Sequence, residues 1–371
     1  MIDEKSLSAE WLAEKRKQYK KDPGIIEGMI YALYLLDQLR ATGLDFIFKG
    51  GTSLILLMER PLRFSVDIDI IVSPDLEREI LEKHLSNIPT SSKFLRVELD
   101  EKRSYKEGIP KAHYKFIYRS NVPTKTRAGE SISNPEREIL LDILFSENPY
   151  PVLAERPIQT DWVRITGVPS IVKTPDINSI AGDKLVAFAP CTTGVPYGAG
   201  KEKEIIKQLF DVGHLFHQIN DFELFKRSYH TSAAGEMKYR PERKIASVEE
   251  ILKDTIATAL LIAKREYHKP EDEDSRAKFS EINTGINQFG HFVFEGNFRI
   301  DHAQVASAKA AYLAAIILTD HNGGLELFDE GMPINQYLIA HPDYNFLNKR
   351  LKYIAQGEAL FYWHQTIQLL H

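Results

Sequence analysis

Residues 45–72 read DFIFKGGTSLILLMERPLRFSVDIDIIV and contain the clearest fold signal in the chain. A short apolar run ends in two glycines, an apolar segment of helical type follows, and SVDIDIIV alternates as a strand does. The pattern predicts a strand, a tight turn, a helix and a second strand. Because glycine lets the backbone approach a ligand and the first helical N–H groups point outwards, the turn suits a phosphate, although an ordinary tight turn has the same composition.

Three acids stand in strand-like apolar surroundings. Alternation along the second strand places Asp67 and Asp69 on one face, and Asp142 lies in a further apolar run, REILLDILF at 137–145. Neighbouring carboxylates are costly unless a cation neutralises them, and oxygen ligands of this kind suit Mg²⁺. The alternative is a solvated edge strand, which the apolar flanks disfavour, and Asp142 alone would be only a capping or salt-bridging acid.

The rest of the chain divides into a mixed α/β part and a helical part. Apolar periodicity predicts helices at 7–21, 24–41 and 75–88, and strands at 94–100, 113–120 and 137–145, with 152–172 ambiguous. Long helical periods follow at 176–190, 202–218, 247–267, 302–319 and 345–369, while 264–279 reads as a solvated helix end and loop. We therefore expect an α+β fold, with a catalytic domain at 1–170 and a mainly helical domain at 171–371.

Composition and charge limit the possible classes of protein. With 371 residues and 43% hydrophobic side chains the chain can bury a large core, and its single cysteine excludes an intramolecular disulfide. The N-terminus is too charged for a secretory signal, and no apolar run approaches a membrane span, so we expect a cytoplasmic protein. A net charge of −5 means that any nucleic-acid contact must use a local basic patch.

The GGTSL turn, the helix after it and RFSVDID together resemble the signature of polymerase-β-type nucleotidyltransferases, and more narrowly the AbiEii/AbiGii (MenT-like) toxin family. The resemblance implies a polymerase-β-like domain with a mixed sheet, followed by helices that complete the nucleotide and acceptor site. It implies that Asp67 and Asp69 bind metal and that Gly50, Gly51, Thr52 and Ser53 contact phosphate. Asp142, predicted from its own apolar run, would complete a cluster of three acids that holds two metal ions, and Ser65 is a further candidate for nucleotide binding.

Two later motifs also resemble that family. Lys184, in AGDKLVA at 181–187, matches a helical lysine that would bind nucleotide phosphate, and Asp211, in KQLFDVGHL at 207–215, matches a catalytic or organising carboxylate. Gln208 departs from the family, which often has an acid there. From the residues alone, Lys184 could equally extend from an amphipathic helix to solvent, and Asp211 could be a surface acid.

The resemblance implies a metal-dependent transfer of a nucleoside monophosphate from an NTP to an acceptor hydroxyl, with Mg²⁺ or Mn²⁺. An RNA 3′ end, particularly that of tRNA, is the leading acceptor, and a cognate antitoxin is the expected partner. A protein or small-molecule acceptor, or a non-catalytic nucleotide- or antitoxin-binding protein, are the alternatives; the base preference and oligomeric state stay open. The basic residues that would meet RNA, if they are not simply a solvated surface, are Arg60, Arg63, Lys111, Lys115, Arg119, Lys125 and Arg127.

Two further patterns are weaker. GAGKE at 198–202 lacks the first glycine and the Ser/Thr of a phosphate-binding P-loop, so it predicts a flexible loop between two helices. His214 and His217 are one helical turn apart, as in some metal sites, but no second motif completes such a site. They are interpreted as interface or core histidines.

Overall fold

The computed structural model describes residues 1–60, 62–125, 130–265, 272–294 and 296–371. The described strands are β1 Ile47–Lys49, β2 Ile68–Val72, β3 Phe94–Leu99, β4 Lys111–Arg119, β5 Thr124–Lys125, β6 Ser131–Ile132, β7 Glu136–Phe145, β8 Leu153–Pro157 and β9 Ile171–Pro175. The described α-helices are α1 Ala9–Tyr19, α2 Pro23–Ala41, α3 Gly50–Leu57, α4 Arg78–Ser91, α5 Ile177–Ala187, α6 Glu202–Leu215, α7 Phe222–Tyr239, α8 Val248–Lys264, α9 Glu273–Phe289, α10 Ile300–Leu318, α11 Asn348–Leu351 and α12 Glu358–Leu370.

Seven strands form one mixed sheet in the order β3-β4-β7-β2-β1-β9-β8. β2 runs parallel to β7 and β1 parallel to β9, whereas the other neighbours are antiparallel. Phe48, Ile68 and Ile70 are almost fully buried and join α2 in one hydrophobic core. Since side chains alternate along a strand, the acids between them lie on the opposite face of the sheet.

The described chain forms two compact units. The first comprises Met1–Asp176 with His291–Gly296, and the second comprises Ile177–Gly290 with Asn297–His371. Within the first unit, the backbone of Phe292 accepts a hydrogen bond from Phe64 N at 2.8 Å. The aromatic ring of Phe294 packs against the ring of Phe64, with centroids 4.3 Å apart. A short segment far along the chain thus supports the residues that lead into β2.

Local signals define the beginnings of several helices. The Asp22 carboxylate accepts hydrogen bonds from the first N–H groups of α2, and Pro23 stands at its first position. Ser8, Asp221, Ser247 and Asp272 cap α1, α7, α8 and α9 in the same way. In the second unit α10 is buried along most of its length, which its alanines permit because they let neighbouring helices approach closely.

The predicted fold class is confirmed: a mixed sheet with helices is followed by a helical C-terminal part. Four details differ. α7 and α9 escaped prediction; both helices are polar overall, and residues 273–279 of α9 were expected to belong to a loop. The expected helix at 345–369 is split, since Gly357 has a φ of 100°. Residues 158–170 form no strand and make a single bridge, Ile165 to Ile2.

Of the helices in the described part of the chain, none combines the length and hydropathy needed to cross a lipid bilayer.

Candidate active site

The glycine turn between β1 and α3 is shaped around one of the predicted metal-binding acids. Gly50 has a φ of 77°, and a Cβ at this position would overlap the Asp69 carboxylate, with Cγ only 2.8 Å away. A Cβ on Gly51 would meet the buried Arg63 guanidinium, with Cζ at 3.2 Å. Both positions therefore require glycine. Gly50 has a left-handed backbone conformation and no room for a side chain, whereas Gly51 only lacks the room.

The hydroxyl groups near the turn bond within the protein. Thr52 Oγ1 donates to the Asp67 carbonyl oxygen at 2.5 Å and shares a hydrogen bond with Ser65 Oγ at 2.8 Å. Ser53 Oγ donates to the Gly50 carbonyl oxygen at 2.8 Å. All three hydroxyl side chains are buried. They fix the turn to the strand that carries the acids, so the groups presented outwards by the turn are the backbone N–H groups of the first turn of α3.

Strand pairing brings four polar residues into one row across the sheet. Lys49 pairs with Asp69, Asp69 with Asp142, and Asp142 with His113. Residues that pair directly project from the same face of a sheet, and neighbouring strands are about 4.8 Å apart. The two acids predicted from separate parts of the sequence are therefore side by side.

Asp142 has a defined partner that the sequence did not suggest. Its Oδ1 lies 2.5 Å from His113 Nδ1, and its Oδ2 lies 4.0 Å from Arg103 Nη2. The His113 backbone is itself fixed by a 2.8 Å hydrogen bond to Ser104 Oγ. This contact orients the Asp142 carboxylate towards the β4 side of the row, while Asp67 and Asp69 lie beside the glycine turn.

Within the described ranges, no group of three or more His, Cys, Asp or Glu side chains is placed so that it could hold a metal ion. The side chains present nevertheless suit Mg²⁺, because Asp67 and Asp69 offer oxygen ligands and Gly50 leaves room for the Asp69 carboxylate. Mg²⁺ in proteins is often held by one or two carboxylates together with substrate phosphates and water. The residues present fit an ion that is completed by the nucleotide.

Lys184 and Asp211 form a buried ion pair in the second unit. Lys184 Nζ lies 3.0 Å from Asp211 Oδ2, and the two side chains are 6% and 2% exposed. The same Nζ donates to Gln208 Oε1 at 3.1 Å. Lys184 lies on α5 and the other two residues on α6, so two motifs 24 residues or more apart meet in one hydrogen-bonded group. Gln208, the departure from the family pattern, supplies one of its contacts.

The loop between α5 and α6 is anchored along much of its length. The buried Asp254 carboxylate accepts hydrogen bonds from Cys191 N at 2.8 Å and Thr192 N at 2.9 Å. Burial raises the pKa of the Asp254 carboxyl, and these hydrogen bonds oppose the rise. Further along, Gly198 N donates to Glu281 Oε2 at 2.7 Å. A loop predicted to be flexible is therefore tied to α8 and α9.

His214 and His217 lie at the end of the α6 region and are partly or largely enclosed. His214 Nδ1 is 2.8 Å from the Phe210 carbonyl oxygen, and the His214 ring packs against the Phe210 ring. Burial lowers the pKa of both imidazoles. These contacts are those of a packed helix surface, and the described residues provide no metal cluster around them.

The lowered pKa of His214 predicts a pH-dependent stability. Between its folded pKa and the ordinary value of 6.5, the unfolded chain binds more protons than the folded chain, so the free energy of unfolding falls as the pH drops below about 6.5. Urea unfolding between pH 5.5 and 7.5 should show a flatter pH dependence for His214→Gln than for the wild type. Replacement of the exposed His321 by Gln is the control, and equal slopes for wild type and His214→Gln would contradict the prediction.

The glycine turn offers a test with a matched control. Gly50 and Gly43 have φ angles of 77° and 80°, but a Cβ on Gly43 meets nothing within 4 Å. Gly43→Ala should lower the free energy of unfolding by only about 1–2 kcal/mol, because alanine is strained in the left-handed conformation. Gly50→Ala should lower it clearly more, because its methyl group also displaces Asp69. Chemical denaturation of both variants measures the difference; equal losses would show that Asp69 moves freely.

Among the basic residues predicted to meet RNA, those that the structure describes have different environments. Lys115 Nζ pairs with Glu138 at 3.1 Å, and Arg63 is buried against the glycine turn. Arg60, Arg119 and Lys125 are exposed. Arg127 lies outside the described residues.

A mixed sheet that carries this turn and row of acids, followed by helices, is a nucleotidyltransferase fold. Residues 34–283 match the family described as "Nucleotidyl transferase AbiEii toxin, Type IV TA system". The match covers more than half of the chain and includes every predicted site residue, so the protein belongs to the AbiEii nucleotidyltransferase toxin family. A search of curated proteins found no match.

Proposed function

We propose that this toxin-family protein transfers a nucleoside monophosphate from an NTP to an acceptor hydroxyl, with the 3′ end of tRNA as the acceptor. The observation that carries the proposal is the position of Asp69, which lies against Gly50 and in register with Asp142. Phosphate-binding backbone and carboxylates are thereby next to each other, as attack on a nucleoside triphosphate requires. A cognate antitoxin would regulate the protein in the cytoplasm.

Each residue has a proposed role. The N–H groups of Gly50 and Gly51 bind the triphosphate, and the buried hydroxyls of Thr52, Ser53 and Ser65 hold the turn in position for this contact. In the second unit, Lys184 binds nucleotide phosphate, and Asp211 orients the Lys184 ammonium group through their 3.0 Å ion pair.

Asp67 and Asp69 would hold Mg²⁺ or Mn²⁺, and Asp142 is the third acid of the site. When bound with the nucleotide, such an ion stabilises negative charge on the phosphates and favours ionisation of the attacking hydroxyl. In the reaction the acceptor oxygen bonds to the α-phosphorus while the bond from the α-phosphorus to the pyrophosphate oxygen breaks. The hydroxyl proton passes to the Asp142 carboxylate or to water, and His113 keeps that carboxylate oriented.

The test is transfer of label from each of four α-³²P-labelled NTPs in the presence of Mg²⁺, with total tRNA, a small hydroxylated compound or the protein alone as acceptor. We expect label on tRNA with the wild type and none with Asp69→Ala. Label on the protein or on the small compound would instead assign a different acceptor. NTP binding without transfer to any acceptor would identify a non-catalytic binding protein and refute the proposal.

A further inference from the structure

An open groove of about 650 Å³ lies in the first unit, at the N-terminal helix α1. One side of the groove is formed by residues that recur every three or four positions along α1 and therefore share one face of the helix. The other side is the loop after β4. Its lining residues are Ala9, Leu12, Ala13, Arg16, Lys17, Lys20, Lys21, Pro23, Asn121, Val122 and Pro123. Most of this lining precedes residue 34, where the family match begins.

The groove is strongly basic. Four of its lining residues are cationic and none is acidic. Arg16, Lys17 and Lys20 are exposed, and no described carboxylate forms an ion pair with any of the four cations. Asp22, the acid next to Lys21 in the sequence, is committed to the start of α2, where its Oδ1 accepts hydrogen bonds from two backbone N–H groups at 2.8 and 3.1 Å. The positive charge is therefore available to a ligand.

The wall opposite α1 is held in place by a buried acid. Glu27 accepts hydrogen bonds from Asn121 N at 2.7 Å and from the Ser120 hydroxyl. The Asn121 side-chain amide donates to the Leu7 carbonyl oxygen at 2.9 Å. The loop is thus tied to α2 and to the segment before α1, so the shape of the groove does not depend on a ligand.

We propose that this groove, the basic groove, binds the sugar–phosphate backbone of the RNA acceptor. Lysines act as point charges for phosphate, and a chain with a net charge of −5 must concentrate such charges locally to bind nucleic acid. Protein partners, in contrast, draw most of their binding energy from a few anchor side chains that fill well-packed pockets. The apolar part of the lining is mainly alanine and proline, and Leu12 is already buried, so the groove offers few such pockets.

The basic groove is distant from the row of acids. His113 is near the beginning of β4 and Asn121 follows its end. With a rise of about 3.4 Å per residue, the two are about 20 Å or more apart. The inference rests on the proposed function, which identifies the bound polyanion as the RNA acceptor. While the 3′ end of that RNA reaches the acids, the groove binds a part of the same RNA farther from the 3′ end. Because contacts to phosphate carry no sequence information, we expect recognition independent of sequence.

The experiment compares Lys17→Gln/Lys21→Gln with Lys83→Gln/Lys349→Gln, which removes equal charge from two exposed lysines elsewhere. Binding of fluorescently labelled tRNA to the full-length protein is measured by anisotropy over a range of salt concentrations. The groove variant should bind roughly tenfold more weakly, with a salt slope shallower by about 1.4, since each lost phosphate contact contributes about 0.7. The control variant should bind as the wild type does.

A second readout separates this inference from the proposed function. KM for nucleotide transfer to tRNA should rise in the groove variant, while transfer to a short oligonucleotide with the same 3′ end should be unchanged. If the variant weakens RNA binding but no acceptor is ever labelled, the groove assignment stands and the proposed function fails. If transfer occurs and the groove and control variants bind alike, the groove assignment is refuted. Poly-glutamate binding lost in the groove variant, with RNA binding intact, would also refute it.

Discussion

A Lys184→Met variant is expected to lose about 3–5 kcal/mol of unfolding free energy. The substitution removes the ammonium group 3.0 Å from the Asp211 carboxylate, whose side chain is 2% exposed, and removal of one partner from a buried ion pair is strongly destabilising. Urea denaturation measures the loss. Lys278→Met is the matched control, because Lys278 pairs with Asp274 at 2.6 Å on the surface and such pairs contribute about 0–1 kcal/mol.

The double variant Lys184→Met/Asp211→Leu separates stability from activity. Removing both charges together leaves neither member of the ion pair buried, so most of the lost stability should return. Nucleotide transfer should remain abolished, since the proposed phosphate contact of Lys184 is absent. Recovery of both stability and transfer would show that the pair is only structural and would remove Lys184 from the proposed site.

An Asp67→Asn/Asp69→Asn variant should lose at least about 10³-fold in transfer rate, equivalent to about 4 kcal/mol of transition-state stabilisation. Its unfolding free energy should stay the same or increase, because Asp69 stands in register with Asp142 and neutral amides remove repulsion between like charges. The rate is measured with labelled NTP and tRNA, and the stability by urea denaturation.

Asp45→Asn is the control for that experiment. Asp45 also lies near β1, but its side chain is 92% exposed, and its carboxylate lies 3.5 Å from Lys173 Nζ. Its replacement should therefore change neither the transfer rate nor the free energy of unfolding appreciably. Unchanged transfer in the double amide variant would contradict the assigned role of the paired acids. A large loss of stability would indicate that the acids hold the sheet together.

The amino-acid sequence by itself determined the elements whose signal is local. The apolar runs and glycines of 45–72 predicted β1, α3 and β2, and alternation placed Asp67 and Asp69 on the polar face. The order of motifs predicted the family to which the chain belongs. The sequence did not predict α7 and α9, which are polar overall and bury one apolar face against the rest of the protein.

Contacts between residues far apart in the chain depend on tertiary packing. The His113–Asp142 contact depends on the register of β4 with β7, and the Lys184–Asp211 pair depends on the packing of α5 with α6. The basic groove likewise requires α1 beside the loop at 121–123. One sequence records propensities over a few residues, whereas these contacts are selected by burial of the whole core and by pairing across long chain separations, which no local pattern encodes.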